Sequence, residues 1–153
     1  MKNFSLSILC LSISAVAGTA VAGQSADPQM AHLNIPGFEA APATAKVIFE
    51  SPKNHDVVTK KFKVKFGVSG MKLHPAGELN PGTGHHHLII DGDSVPAGQT
   101  VPADATHIHF GKGQTETEIE LAPGPHKLTL QFANGAHLSY GPTMATTIDI
   151  IVK

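Results

Sequence analysis

The stretch Lys61-Phe62-Lys63-Val64-Lys65-Phe66-Gly67-Val68 alternates lysine and apolar side chains. Successive side chains of a β-strand point to opposite faces, so this alternation predicts a strand with one face in a core and a lysine face in solvent. A second alternation follows in residues 114–121, where three glutamates alternate with Thr, Ile and Leu. Both charged rows are interpreted as solvated faces of a sheet.

Similar short segments predict the remaining strands of an all-β domain. They cover residues 46–50, 85–90, 107–110, 126–132 and 146–152. Pro, Gly and Asn-Gly turn signals separate several of them, and no segment has a helical period. About seven short strands with regular turns predict an antiparallel, immunoglobulin-like β-sandwich, without the Cys-Trp-Cys core of antibody domains.

The first 22 residues have the pattern of a secretory signal peptide. Lys2 supplies the positive charge, residues 4–17 are mostly apolar, and Ala20-Val21-Ala22 is a small-x-small cleavage site. An uncleaved membrane anchor is the alternative, but the apolar run is too short to span a bilayer. Residues 23–45 are aperiodic, which predicts a flexible leader before the histidine-rich β-sandwich domain of residues 46–153. The protein is therefore expected in the periplasm or outside the cell.

The composition excludes several classes of function. The single cysteine, Cys10, lies in the predicted signal peptide, so the mature chain has no disulfide and no thiolate metal ligand. All 11 basic residues are lysines, and the formal net charge is −1. Without a basic, arginine-containing face the chain is not expected to bind nucleic acid. Without a polybasic patch it is not expected to associate with a membrane once the signal peptide is cleaved.

Two His-x-His pairs carry the functional prediction. The chain has 10 histidines, and five of them fall in His85-His86-His87 and His107-Ile108-His109. Residues i and i+2 of a strand share a face, so the outer two histidines of each segment project together. If the segments are neighbours, four imidazoles converge, and imidazole suits Cu(II), Zn(II) and Ni(II). A structural hydrogen-bond network is the alternative. We predict as metal ligands His85, His87, His107 and His109.

Other histidines leave more than one interpretation open. Leu88 and Ile90 resemble core residues, which places His86 on the inner face of the strand as a hydrogen-bonded structural histidine. The opposite orientation of the strand stays open, because Leu88-Ile89-Ile90 is apolar at every position. His126 and His137 are secondary candidates for the metal. His126 shares its face with core residues and is interpreted first as a rim histidine that pairs with a backbone carbonyl. His137 is equally compatible with a ligand and with a loop position.

The sequence also resembles a family of short exported bacterial proteins. The resemblance rests on residues 82–91, 102–104, 107–111, 114–116 and 123–126, which read GTGHHHLIID, PAD, HIHFG, QTE and PGPH. Over residues 46–153 the chain resembles the domain-of-unknown-function 4399 family, which implies an immunoglobulin-like sandwich. Two motifs, Gly-His-x-His-x-x-x-Asp at residues 84–91 and Pro-Gly-x-His at residues 123–126, are similar to those of other exported β-sandwich domains suspected of holding copper. Relatives tend to have more histidine around residues 137–140.

These observations predict a periplasmic metal-binding protein without enzymatic activity, which holds copper, or else zinc, for buffering, delivery or tolerance. Its partners would be the metal ion and a protein that donates or accepts it. A non-catalytic interaction module whose histidines only brace loops is the rival from another class. A small copper redox enzyme is the third interpretation, and it requires an open site with three histidine ligands. Ligating imidazoles must be neutral, so metal occupancy is expected to fall below pH about 6.

Overall fold

The computed structural model describes residues 38–153 of the chain. The signal peptide predicted for residues 1–22, and residues 23–37 of the predicted leader, lie outside the described residues. The strands are β1 (Lys46–Ser51), β2 (Val57–Val58), β3 (Lys61–Ser69), β4 (Lys72–Leu73), β5 (Thr83–Ile90), β6 (His107–His109), β7 (Glu116–Glu120), β8 (Gly124–Ala133) and β9 (Ala145–Val152). A 3-10 helix at Pro142–Met144 precedes β9. No helix within residues 38–153 is long and apolar enough to cross a membrane.

The strands form two sheets. One has the order β1-β3-β7, and the other has the order β2-β9-β8-β5-β4, with β6 also paired to β5. The pairings are antiparallel except those of β2 with β9 and of β4 with β5. The apolar faces of the two sheets pack around one core. The predicted antiparallel, immunoglobulin-like β-sandwich is confirmed.

The alternation in β3 orients the smaller sheet as predicted. Phe62, Val64 and Phe66 are buried in the core, and the lysines between them are exposed. Because β3 pairs with β7, the lysines lie beside the glutamates, and Lys61 Nζ is 2.7 Å from Glu118 Oε1. Exposed pairs of this kind contribute about 0–1 kcal/mol each. The charged face is therefore a solvated surface that adds little stability.

The inner face of the larger sheet fixes the parity of β5. Leu88 on β5, together with Leu128 and Leu130 on β8, is fully buried in the core. His86 shares the inner face with Leu88, and its ring lies 5.0 Å from that of Phe66 in the opposite sheet. The sequence allows either face of β5 to point into the core, and in the structure the face with His86 and Leu88 does so.

Residues 38–45, the end of the predicted leader, pack against the domain. The Phe38 ring lies 5.6 Å from the Tyr140 ring, and Ala45 is buried in the core. Gly70 permits this packing, because a Cβ at its position would lie 2.8 Å from Cα of Ala45 and its φ of +77° suits glycine. The packed structure therefore begins before residue 46, and a leader that is flexible up to residue 45 does not fit this packing.

Two loops cover the outer face of the larger sheet. The loop between β5 and β6 is joined to the loop between β8 and β9, since Val101 N donates to the carbonyl of His137 at 2.9 Å. It is also fixed to β8, where Val95 N donates to Gln131 Oε1 at 3.1 Å. Ile89, on the outer face of β5, is fully buried. Outward-facing side chains of β5 are therefore shielded from water.

Candidate metal centre

Four histidines meet on the outer face of the larger sheet. This histidine cluster consists of His85 and His87 of β5, His109 of β6, and His137 of the loop between β8 and β9. Its ring centroids are 4.7 Å apart for the closest pair, His109 and His137, and 5.9 Å apart for the widest, His87 and His137. One ring nitrogen each of His85, His109 and His137 lies within 4.8 Å of the others. Three separate segments of the chain thus bring possible ligand atoms together.

The pairing of β5 with β6 explains three of the four positions. The strands are antiparallel, and His87 lies directly opposite His109. Cross-strand partners project to the same side, so their rings stack at 5.0 Å with an interplanar angle of 30°. His85 is two residues before His87 on the same face, and its Nε2 is 3.0 Å from Nε2 of His87. The two His-x-His segments are therefore neighbours in the fold.

A turn after β8 brings His137 to the same point. Asn134 is buried, and its Oδ1 accepts hydrogen bonds from the backbone N–H groups of Ala136 and Leu138, each at 3.0 Å. This arrangement holds His137 at a φ of +64°, a left-handed conformation that is uncommon outside glycine and asparagine. The Asn-Gly pair is a turn signal in the sequence. The sequence names His137 as a secondary candidate, but it does not show that the turn brings this ring to His85, His87 and His109.

His107 is the predicted ligand that lies outside the cluster. It pairs with Ile89, two residues along the β5–β6 ladder from the pair of His87 and His109. Its Nδ1 is 2.9 Å from Oδ1 of Asp104. The prediction named His85, His87, His107 and His109, whereas the four imidazoles that lie together are His85, His87, His109 and His137.

His126, the other secondary candidate, lies near the start of β8. The cluster lies beside the other end of this strand, where Gln131 pairs with His87. Nδ1 of His126 is 2.9 Å from Asp91 Oδ2, and its Nε2 is 2.9 Å from the carbonyl oxygen of Ala122. Both partners can only accept hydrogen bonds, so each ring nitrogen faces an acceptor and neither faces an open position for a metal. Burial lowers the pKa of His126, but the contacts with Asp91 and Ala122 outweigh this and raise it above the ordinary value. This position agrees with a rim histidine.

Three histidines take no part in the cluster prediction. His55 is exposed, and its Nε2 lies 3.1 Å from Nδ2 of Asn54. His74 is partly buried, with its Nε2 3.3 Å from Nδ2 of Asn80. His32 lies outside the described residues.

Nitrogen–nitrogen distances in the cluster match those of imidazoles around one ion. Two nitrogens at about 2.0–2.1 Å from a metal, with an angle of about 90–109° between them, are about 2.8–3.4 Å apart. The Nε2 atoms of His85 and His87 are 3.0 Å apart, and those of His109 and His137 are 3.2 Å apart. These distances suit adjacent ligands of one ion and equally suit hydrogen bonds between neighbouring rings, and the three ring nitrogens that lie close enough together to hold an ion belong to His85, His109 and His137.

Burial keeps the inner half of the cluster neutral. Burial, together with repulsion from His109 and His137, lowers the pKa of His85 to about 4. The same causes, with His85 added, lower the pKa of His87 to about 2. The pKa of His109 is also lowered, first by burial and then by His137. An ion therefore displaces no proton from His85 or His87 at pH 7.

The cluster has a buried side and an open side. His85 and His87 are fully buried, whereas His109 is exposed and His137 is partly exposed. Within residues 38–153, Nδ1 of His85 and Nδ1 of His87 have no hydrogen-bond partner. A network that braces loops through these rings needs partners on those nitrogens. The described hydrogen bonds of the cluster link His85 to His87 and His109 to His137 through Nε2 and leave the Nδ1 atoms of the two buried rings unpartnered.

His86 lies apart from the cluster, in the core. Its ring makes edge-on contacts with Phe66 and Phe132, both at 5.0 Å between centroids. Neither of its nitrogens has a hydrogen-bond partner among the described residues, so the prediction of a hydrogen-bonded histidine is wrong in that respect. Burial, with a smaller contribution from His85, lowers the pKa of His86 to about 4 and keeps the ring neutral.

Comparison with known proteins places these residues in a family. Residues 64–153 match the family described as Domain of unknown function (DUF4399). The chain belongs to the DUF4399 family. The resemblance seen in its motifs is thereby confirmed, and all four histidines of the cluster lie within the part that matches DUF4399.

Solved structures and curated proteins add little to this assignment. The DUF4399 protein is similar to a solved structure titled "Structures of Clostridium thermocellum CbhA fibronectin(III)-like modules", with a TM-score of 0.45 and 15% sequence identity. The similarity covers 70% of this chain and 96% of that chain. No curated protein matches the chain.

Proposed function

We propose that this DUF4399 protein binds one transition-metal ion, copper before zinc, at the histidine cluster and buffers or delivers it in the periplasm. The convergence of imidazoles from three chain segments, with neighbouring Nε2 atoms 3.0 and 3.2 Å apart, carries the proposal. Burying imidazoles without full hydrogen bonding costs free energy. A bound ion offsets this cost, because its binding free energy is also folding free energy.

The ligand chemistry favours copper. Every member of the cluster offers an imidazole nitrogen, and the affinity of such sites for divalent metals rises along the first row to Cu(II) and falls at Zn(II). The one cysteine of the chain, Cys10, lies in the predicted signal peptide, so no thiolate competes for a softer ion. Zinc, which binds three or four nitrogens in a tetrahedron, is the second candidate.

The exposure of His109 and the unpartnered Nδ1 atoms of His85 and His87 favour exchange of the metal over permanent binding. Metal-ligating histidines usually donate their second N–H to an acceptor, and losing such partners costs about 10–100-fold in affinity. Within the described part of the chain, Nδ1 of His85 and Nδ1 of His87 lack that acceptor. His109 is exposed, so another protein could reach the ion. These are properties of a buffer or delivery protein, whose partner is the metal donor or acceptor.

Calorimetric titration of metal-free protein with Cu(II) and Zn(II), in the presence of a competing chelator, tests the proposal. We expect one Cu(II) per chain and weaker binding of Zn(II). His85→Ala should abolish stoichiometric binding, because His85 contacts all three other rings of the cluster. His126→Ala, which removes a histidine outside the cluster, should bind as the wild type does.

The interaction-module alternative gives a different result in this experiment. It predicts that His85→Ala changes the thermal stability and that neither variant changes a metal response. Wild-type protein that binds Cu(II) no better than His85→Ala would overturn the proposed function.

A further inference from the structure

Two histidine–aspartate pairs in the structure differ at the far nitrogen of the ring. The pairs are His107 with Asp104 and His126 with Asp91, and in both of them Nδ1 of the histidine lies 2.9 Å from an aspartate oxygen. In the second pair, Nε2 is occupied by the carbonyl oxygen of Ala122 at 2.9 Å. Nε2 of His107 makes no hydrogen bond within residues 38–153, and its side chain is 21% exposed. Of the two rings, His107 keeps a nitrogen lone pair available.

Asp104 is held so that it fixes the proton on His107. Its Oδ1 accepts hydrogen bonds from the backbone N–H groups of Thr106 and His107, at 2.8 and 3.0 Å, and from the Thr106 hydroxyl at 2.8 Å. Hydrogen bonds from His107 and Thr106 hold the pKa of Asp104 well below its ordinary range. Because this carboxylate stays ionised, it accepts the Nδ1 proton and leaves the lone pair on Nε2. Metal-ligating histidines commonly have such a partner on their second nitrogen.

The position of His107 links it to the cluster. It is on the same face of β6 as His109, and its pair with Ile89 lies two residues along the ladder from the pair formed by His87 and His109. His109 is the exposed member of the cluster. β6 thus presents an available nitrogen immediately outside the cluster.

We propose that His107, oriented by Asp104, is a loading ligand that binds the metal ion during uptake and release but not at rest. This role rests on the proposed function of the histidine cluster. The step is a ligand exchange without a change of oxidation state. Nε2 of His107 replaces a water or chelator atom on the ion, a nitrogen of His109 then replaces Nε2 of His107, and a nitrogen of His137 replaces a further water or chelator atom.

A ligand that acts only in transit has a distinctive kinetic effect. It lowers the barrier in both directions, so its removal slows uptake and release by the same factor. The dissociation constant, which is the ratio of the two rates, then stays unchanged. A ligand of the ion at rest would instead alter the dissociation constant and the spectrum of the bound metal.

Stopped-flow measurement of Cu(II) uptake and of chelator-driven release tests this role. For His107→Ala we expect both rates to fall by about tenfold, the scale on which partners of metal ligands act, with an unchanged dissociation constant and electron paramagnetic resonance spectrum. Asp104→Asn, which keeps an acceptor in the turn but removes the charge, should slow both rates by a smaller factor. His126→Ala is the matched control from the other pair and should have wild-type rates.

Three outcomes separate this role from the proposed function. Wild-type rates in His107→Ala would overturn the loading role. A weaker dissociation constant with one nitrogen fewer in the spectrum would also overturn it, because His107 would then be a ligand at rest. In both cases the wild type still binds copper, so the proposed function stands. A wild type that binds no copper removes the proposed function and the loading role together.

Discussion

The imidazole of His109 packs directly on the backbone of Gly111. A Cβ built on Gly111 would lie 2.5 Å from Nε2 of His109 and would also overlap Cε1 of the same ring. The backbone at Gly111 is not in the left-handed region, so the ring and not the chain conformation requires glycine here. Gly111 therefore sets where the exposed ring of the cluster can lie.

Gly111→Ala should weaken copper binding by about tenfold while the sandwich still folds. The added methyl group overlaps the His109 ring and displaces it from its present position. Chelator competition gives the dissociation constant, and circular dichroism verifies the fold. Gly67→Ala, in the other sheet, is the control, since a Cβ there meets Glu50 Oε1 at an ordinary 3.4 Å. Wild-type copper affinity in Gly111→Ala would show that the present position of the His109 ring is not required for binding.

His137→Asn should remove a ligand without loosening the loop. Asparagine tolerates the left-handed conformation, so the φ of +64° at this position can be kept. We expect the free energy of unfolding to change by less than about 0.5 kcal/mol, and copper affinity to fall at least about tenfold. Urea unfolding and chelator competition measure the two effects. The idea fails if His137→Asn binds copper as tightly as the wild type.

His86→Leu should stabilise the metal-free protein at pH 7. Leucine fits the apolar site between Phe66 and Phe132, and it removes two ring nitrogens that lack partners in the described residues. A buried polar group without hydrogen bonds costs about 1–3 kcal/mol, and loss of ring packing offsets part of this. We expect a net gain of about 1 kcal/mol in urea unfolding, with unchanged copper affinity. A loss of stability would show that the ring contacts of His86 with Phe66 and Phe132 outweigh the cost of its unpartnered nitrogens.

The metal-free protein should lose stability as the pH falls from 6.5 to 4. Burial lowers the pKa of His86 to about 4, whereas an unfolded histidine has a pKa near 6.5. Below 6.5 the unfolded state therefore binds more protons, so stability is complete above this pH and is lost as the pH approaches 4. Each unit of pKa difference corresponds to about 1.4 kcal/mol, so protonation of His86 alone lowers the free energy of unfolding by on the order of 3 kcal/mol. Urea unfolding at a series of pH values, with a chelator present, measures this slope.

Two variants separate the contributions to the pH dependence. His86→Leu should give a shallower slope between pH 6.5 and 4. The pKa of His126 is raised, so its contribution is complete below 6.5 and is lost as the pH rises above that value. His126→Gln should therefore leave the acidic slope unchanged. An identical acidic slope in His86→Leu would contradict the assignment to His86.

Strand alternation was sufficient to predict the sandwich. A period of two identifies strands such as β3 and β7, because one face is buried and the other is solvated. β2 and β4 have only two residues each and no pattern that a period could reveal. The packing of Phe38 on Tyr140 depends on contacts between distant parts of the chain, which the composition of residues 23–45 does not indicate.

The candidate site shows where sequence reasoning ends. Parity places His107 and His109 on one face, but register decides which of them reaches the cluster. The observed register pairs His109 with His87 and His107 with Ile89. His137 arrives through a long-range turn, which local patterns do not predict. Similarly, the requirement for Gly111 appears only once the ring of His109 is in place.

Anomalous X-ray diffraction at the copper edge, from crystals grown with one equivalent of Cu(II), tests the central claim most directly. The account predicts one copper peak per chain, about 2 Å from ring nitrogens of His85, His109 and His137, with His87 as the adjacent fourth imidazole. A peak elsewhere on the domain, or no ordered copper at the histidine cluster, would contradict it.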